Sequence, residues 1–374
     1  MDIKDLLKVM VERDASDIYV TTEVPPMYRI DGETQPIGGE NLTPEQTSAL
    51  ANSMMNEKQR VEFENTFEMN LALYYPEMGR FRVNIFYQRK CVGFVIRQIK
   101  TEIMTCDQLG LPATLKDIVM TKRGLVLVVG GTGSGKSTSL AAMIDHRNST
   151  STGHIITVED PVEYVHPHKK CVITQREVGT DTITFGAALK NTLRQAPDVK
   201  LVGEIRDTET MEAAITFAET GHLCMGTLHS NNANQTLERI INFFPAERHP
   251  QIYQLLSLNL KAIISQRLIP SIDGKRVAAI EILLGTPRVQ DLILKGDVDT
   301  LKETMAAGAQ EGMQTFDQAL YKHYKDGKIN FDTAVAYADS ANDLRLRVKL
   351  ESGGEVSEGA SSEEQGSSPF SLRQ

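Results

Sequence analysis

The stretch "VVGGTGSGKSTSLAAMID", from Val128 to Asp145, carries an apolar strand into a glycine loop and on into a helix-like run. Gly130 and the Gly135-Lys136-Ser137 triplet keep the spacing of a phosphate-binding P-loop. In such a loop, glycines let backbone N–H groups converge on phosphate oxygens at a helix N-terminus. The pattern assigns Lys136 to the β- and γ-phosphates and Ser137 to Mg²⁺, with Gly131, Thr132, Gly133, Ser134, Gly135 and Thr138 completing the cradle. A plain glycine turn is the alternative, and the full spacing between a strand and a helix weighs against it. The loop specifies a nucleotide-binding core without naming its work.

Around it, from about 116 to 285, apolar segments alternate with helical ones, as a parallel sheet requires. Three further stretches carry polar groups at strand ends. "HIITVEDPVEYVH" delivers Glu159, Asp160 and Glu163 just past a β-branched strand, where an ATPase needs a base to orient the attacking water. On residues alone, a solvated acidic turn broken by Pro161 is an equal reading. "DVKLVGEIRD" ends a short strand in Glu204, with Arg206 and Asp207 behind it, and that carboxylate suits the water shell of Mg²⁺. Lys200 interrupts the apolar run, and Gly203 stands before the glutamate, so the usual Walker B pattern is not kept. "TGHLCMGTLHS" reads as another core strand flanked by His222 and His229, with Thr227 near its end. Histidines so placed could sense a γ-phosphate, although two satisfied structural histidines are the simpler reading.

Residues 1 to 100 mix an amphipathic start with strand-like segments such as "DIYV", "MYRI" and "RFRVNIFYQRKCVGFVIRQI". "NLTPEQTSALANSMMNEKQRVEFE" reads as a helix capped by Thr43 with Pro44 in its first turn. Residues 101 to 115 read as a linker, 286 to 350 as mainly helical with interruptions at Gly308 and Gly312, and 351 to 374 as a disordered tail rich in Ser, Gly and Glu. Arg82 and Arg97 lie on neighbouring strand-like segments that a hairpin would bring together. With Arg80, Arg89 and Lys90 close by, they read by themselves as surface arginines of a basic strand pair.

The whole chain of 374 residues carries a net charge of −9, part of it from five glutamates against one arginine in the tail. That balance argues against general affinity for nucleic-acid backbones, which is carried by clustered Lys and Arg. Cys91, Cys106, Cys171 and Cys224 form no CxxC pair, so neither a zinc site nor a disulfide framework is indicated, and a reducing cytoplasm fits. The charged amino terminus lacks the apolar core of a signal peptide, and the longest apolar run, "LVLVV", is too short to span a bilayer.

Taken in order, the P-loop, the acidic "EDPVEY" box, "GEIRD" and "TGHLCMGTLHSNNANQTLERI" resemble the motifs of the secretion ATPases, over nearly the whole chain to about 345. The short amino-terminal region with "GRFRVNIFYQRKCVGFVIRQI" resembles the type IV pilus retraction ATPases among them. "EILLGTPRVQDLILKGD", with Arg288 and Val289 where the principal motor's motif would begin, the "EGMQTFDQALYKHYKDGKI" segment and the acidic tail look like the accessory members.

The resemblance implies an α/β protein: a RecA-like P-loop ATPase domain with a smaller PAS-like α/β N-terminal domain, assembled as a homo-hexamer. ATP would be its substrate with Mg²⁺ as cofactor, and its partners a principal retraction ATPase and an inner-membrane platform protein at the cytoplasmic base of the pilus. By motif, it implies that Lys136 binds phosphate, Ser137 and Glu204 serve Mg²⁺, Glu163 is the catalytic glutamate, His222 and His229 form the histidine box, and Arg82 and Arg97 reach the nucleotide. The principal retraction ATPase itself, an assembly or secretion ATPase, a weakly active ATP-binding regulator and a nucleic-acid motor are the alternatives.

Overall fold

The computed structural model describes residues 2–30, 32–99 and 102–351, and two sheets organise them. Strands β1 (Asp17–Val20), β2 (Met27–Ile30), β3 (Glu33–Pro36), β4 (Glu68–Tyr75), β5 (Gly79–Gln88) and β6 (Cys91–Ile99) form the first, in the order β3-β2-β1-β6-β5-β4. Its pairings are antiparallel. Along β5 the two-residue period turns Phe81, Val83 and Ile85 into a core, while Arg80, Arg82 and Asn84 share the opposite face. The amphipathic helix Ile3–Glu12 packs Ile3, Leu6, Leu7 and Met10 into that core.

The stretch expected as one helix after Thr43 is two. Thr43 caps Pro44–Met54 and Asn56 caps Glu57–Thr66, each through a reciprocal capping box, with Gln46 and Gln59 respectively. A second capping residue at Asn56, next to an extended Met55 (ψ 139°), ends the first helix and starts another.

The second sheet comprises β7 (Gly124–Val129), β8 (Gly153–Glu159), β9 (Cys171–Glu177), β10 (Val199–Val202), β11 (Leu223–Leu228), β12 (Leu260–Pro270) and β13 (Arg276–Leu284), ordered β13-β12-β7-β11-β10-β8-β9. From β12 to β9 across that order, neighbours run parallel, as the alternating sequence pattern requires. Helices cover both faces, so the central strands are buried on both sides and read as continuous apolar runs. On β7, Leu125, Leu127 and Val129 enter one core, and Val126 and Val128 the other. The stretch read as a linker contributes Cys106, Leu111 and Leu115 to that second core.

The chain forms two compact units, the first containing both sheets up to Leu268 together with Ala278–Thr315. Residues 269–277 and 316–351 form the second, with helices Phe316–Lys325, Phe331–Tyr337 and Ala341–Glu351. Within it, the backbone N–H of Ile272 donates to the carbonyl of Lys328 at 2.9 Å. The region 286 to 350 is mainly helical, with a 3₁₀ turn at Gly308–Glu311 ending in a left-handed Gly312. The acidic tail, 352–374, lies outside the described residues. No helix among the described residues is long and apolar enough to cross a membrane.

Candidate active site

Parallel strands deliver their following loops to one edge, and ligand sites of open α/β sheets gather there. The loop after β7 runs from Gly130 to Gly135 and opens the helix Lys136–Thr150. Gly135 caps that helix at φ +84°, and a Cβ on it would lie 2.8 Å from Gln266 Nε2, so a side chain here is both strained and obstructed. Gln266, buried on β12, braces the loop from below: Nε2 donates to the Ser134 carbonyl at 2.8 Å, and Oε1 accepts from Ser139 Oγ at 2.8 Å. The motif did not include this glutamine. Its signal was the buried polar pair Ser265-Gln266 following the apolar run "AII" in the strand "LKAIISQRLIP".

Lys136 Nζ donates to the carbonyls of Gly130 (2.8 Å) and Gly131 (2.9 Å). Burial lowers its pKa, opposed by the carboxylates of Glu204 and Glu163, so both glutamates lie within electrostatic reach of the loop lysine. Ser134 Oγ is buried without a hydrogen-bond partner, and Gly131 and Gly133 have open space where a Cβ would stand. An orphaned hydroxyl and an open glycine rim beside a lysine suit a polyphosphate. A cleft of about 530 Å³ opens beside the loop, bordered by Gly131, His229, Asn231, Gln235 and Arg239.

Three strand ends beside the loop place the other polar groups. Glu204 stands two residues past β10 and pairs with Arg206 Nη2 at 2.6 Å and with His229 Nε2 at 3.2 Å; Asp160 lies 3.8 Å from Arg206. The structure thus joins the acidic box, the "GEIRD" stretch and the histidine box in one cluster. Gly203 is explained by close approach: a Cβ there would meet Glu159 Cα at 2.9 Å, so a larger residue would push the end of β8 away. Thr227 donates to the Gly203 carbonyl at 2.5 Å, which ties β11 to the same turn.

Glu163 is exposed, and Glu159 is half-buried at the end of β8. The Glu159 carboxylate accepts from Thr157 Oγ1 at 2.5 Å, yet burial pushes its pKa up to about 7. Together with Ser137, Tyr164, Gly203 and Thr227, these two glutamates line a cavity of about 40 Å³, room for roughly two or three waters. Thr138 Oγ1 meets Tyr164 Oη at 2.8 Å, joining the P-loop helix to the acidic loop.

His222 is not brought into this cluster. It precedes β11, and the register of β11 against β7 sets Leu223 beside Gly124 but Leu228 beside Val129, so the two histidines sit at opposite strand ends, roughly 20 Å apart at the rise of an extended strand. Its ring stacks on Phe217 with centroids 4.8 Å apart, and Nδ1 meets Thr220 Oγ1 at 3.0 Å. Lys200 also lies away from the strand ends, fully buried, with Nζ 3.4 Å from the Leu189 carbonyl and 4.8 Å from the Phe217 ring centre.

Arg82 and Arg97 stand directly opposite one another on β5 and β6. Arg97 Nε donates to the buried Asp17 carboxylate at 2.8 Å, whereas Arg82 has no ion pair among the described residues. A neighbouring arginine, Arg80, makes the link to the parallel sheet, pairing with Glu177 at 3.4 Å.

A family model described as "Type II/IV secretion system protein" matches residues 1–318. The chain is 57% identical to the type IV pilus ATPase PilU of Pseudomonas aeruginosa over 351 residues, covering 94% of this chain and 92% of that protein. It is 44% identical to the type IV pilus retraction ATPase PilT of the same organism, covering 89% of this chain and 97% of that one. The crystal structure of the pilus retraction motor PilT with bound ADP superposes with a TM-score of 0.87 at 43% identity, covering 92% of this chain and 99% of the other. The α/β fold, with its P-loop sheet and amino-terminal sheet, is therefore that of a RecA-like secretion ATPase, and the chain belongs to the type II/IV secretion system protein family.

Proposed function

We propose that this chain is an ATP-hydrolysing motor of type IV pilus retraction, of the accessory kind represented by PilU, working as a homo-hexamer in the cytoplasm beside a PilT-like ATPase and a PilC-like platform protein. The observation that carries the reading is the 57% identity to PilU along 94% of the chain, joined to a P-loop whose lysine lies within electrostatic reach of two glutamates.

The chemistry follows from the residues in hand. An arriving polyphosphate competes with the Gly130 and Gly131 carbonyls for the Lys136 ammonium and offers acceptors to the loop N–H groups and to Ser134 Oγ. Ser137 and Glu204 would hold Mg²⁺, which supplies charge neutralisation of the phosphates when bound. Among the described residues, no group of three or more His, Cys, Asp and Glu side chains makes a metal site by itself, which fits an ion held largely by the nucleotide. Arg206 and His229 fix the Glu204 carboxylate from two sides.

Glu163, at the rim of the small cavity beside Ser137, is the base: its carboxylate takes the proton of the attacking water as the water oxygen bonds to the terminal phosphorus, while the bond from that phosphorus to the bridging oxygen breaks and the diphosphate leaves with the electron pair. Arg82, with no carboxylate partner among the described residues, is the arginine of its pair available to take phosphate charge; Arg97 first serves Asp17. His222, at the far end of β11, belongs in this reading to a contact other than the chain's own nucleotide.

The test is ATP turnover by the purified chain, together with pilus retraction in cells lacking this protein, the PilT-like ATPase or both. Turnover lost with Lys136→Ala, and retraction weakened without this chain, are expected. A chain that turns over no ATP but still alters retraction would establish the regulator reading instead.

A further inference from the structure

We infer that Arg80 is a positioning residue: through Glu177 it fastens the acidic loop that carries Glu163 to the amino-terminal sheet. Glu177 closes β9, and its side chain is only 7% exposed. Its Oε2 accepts the backbone N–H of Val162 at 3.1 Å and Arg80 Nη2 at 3.4 Å, while Oε1 accepts from Thr180 Oγ1 at 3.0 Å. The Glu177 backbone N–H donates to Asp181 Oδ2 at 2.9 Å, so the strand end beneath the carboxylate is itself fixed.

Val162 immediately precedes Glu163, and its N–H is held by the same oxygen that receives Arg80. A buried carboxylate deprived of its cation is costly, so loss of Arg80 leaves Glu177 to reorient toward water and release Val162. Arg80 and Arg82 are two residues apart on one face of β5. One strand therefore sets Arg80 on Glu177, which holds the acidic loop, and carries Arg82, without an ion pair among the described residues, on the same face, so that a movement of the amino-terminal sheet shifts both. Arg89 and Lys90, grouped with Arg80 by sequence, are exposed at the β5–β6 turn and take no part.

The inference rests on the ATPase reading for its kinetic measurement only; hydrogen exchange of the loop is independent of it. The full chain is compared as wild type, Arg80→Ala, Arg80→Lys, Glu177→Gln, the double variant Arg80→Ala with Glu177→Gln, and Arg89→Ala. Arg80→Ala is expected to lower kcat about tenfold while KM for ATP moves less than about threefold, the pattern of an interaction felt in the transition state. Glu177→Gln should do likewise, and the double variant should lose no more than either single change, as residues acting through one contact do.

Arg80→Lys should recover part of the loss, because it keeps the charge without the guanidinium fork. Amide exchange in peptides covering 159–166 should rise in Arg80→Ala and stay at wild-type level in Arg89→Ala. Should Arg80→Ala fail to fold, Arg80→Lys and Glu177→Gln give the same comparison. Unchanged kcat in Arg80→Ala, losses that multiply in the double variant, or loop exchange equal to wild type would each overturn the inference. A wild-type chain without turnover would instead overturn the ATPase reading, leaving the exchange comparison to decide the role of Arg80.

Discussion

At the carboxyl ends of β7, β8, β10 and β11 stand Lys136, Glu159, Glu204 and His229, while the interior of β10 holds Lys200 and the amino end of β11 holds His222. The two lysines and the two histidines make a controlled comparison, because each pair shares its chemistry and differs in its place along parallel strands. At the carboxyl ends, backbone direction aims loops, helix N-termini and side chains at one rim, and polar groups meet there: Glu204 with Arg206 and the His229 ring, with Glu204 and Glu163 within electrostatic reach of Lys136. In the interior, Lys200 finds one carbonyl and a ring face, and at the amino end His222 finds a ring and a threonine. Strand polarity, more than residue type, separates the polar cluster at the rim from the packed interior here.

The largest test of that contrast is Lys136→Ala, expected to lower kcat/KM for ATP by about a thousandfold or more, the scale seen when a cation is removed from a transferring phosphoryl group. Far-UV circular dichroism should be unchanged, because the loop backbone and its Gln266 brace remain. A folded variant with near-normal turnover would take the loop out of the chemistry. Next is Glu163→Gln, which should keep nucleotide affinity while slowing turnover about a hundred- to ten-thousandfold, since the amide cannot accept the proton. If Glu204→Gln were the more damaging change to the chemical step and Glu163→Gln nearly silent, the roles of the two glutamates would be exchanged.

His229→Ala should cost roughly tenfold in turnover by loosening Glu204, a charge-assisted contact of about 1.5–3 kcal/mol in general. His222→Ala should change turnover less than about twofold, in line with a surface contact of small worth. Equal losses in both would break the comparison, and would mean that His222 serves the nucleotide of a neighbouring subunit in an assembly.

The parts of the site legible in the sequence were those written as local runs. The P-loop, the acidic box and the carboxylate after β10 each follow an apolar strand directly, so spacing put Lys136, Glu163 and Glu204 a few residues past strand ends. What was not legible was across-strand information. Gln266 is 131 positions from Gly135 yet lies beneath it, and Arg80 is 97 positions from Glu177, its partner. Nothing in the run "GRFRVNIFYQ" ranks Arg80 above Arg82; the ion pair of Arg80 with Glu177 at the end of β9 does. The split of the expected helix at Asn56 is a local failure of another kind, in which a second capping residue was read as part of a continuing run.

The smallest expected effect is on stability rather than turnover, and it asks whether Lys200 is indeed only interior. Its side chain is fully buried on β10, directly across from Cys224 on β11, whose thiol burial raises to about 12. An ammonium has three donors, and Lys200 uses one long bond to the Leu189 carbonyl and a ring face to offset the loss of water. Burial accordingly lowers its pKa. Lys200→Met keeps the length of the side chain and removes the buried charge, and is expected to stabilise the fold by about 1 kcal/mol at pH 7, the low end of what apolar replacement of buried charges yields. Because the folded pKa is lowered, the unfolded chain binds more protons in the window between the folded value and about 10.4 in the unfolded chain. Wild-type stability therefore rises with pH across that window, and the penalty is fully present below it. The methionine variant has no such rise, so its advantage should narrow as pH increases from 7 toward 10. Urea midpoints at both pH values, with equal m-values, measure this directly. A less stable variant at pH 7 would show that the ammonium's two contacts outweigh its desolvation, and a loss of turnover in a stable Lys200→Met chain would give this lysine a part in turnover.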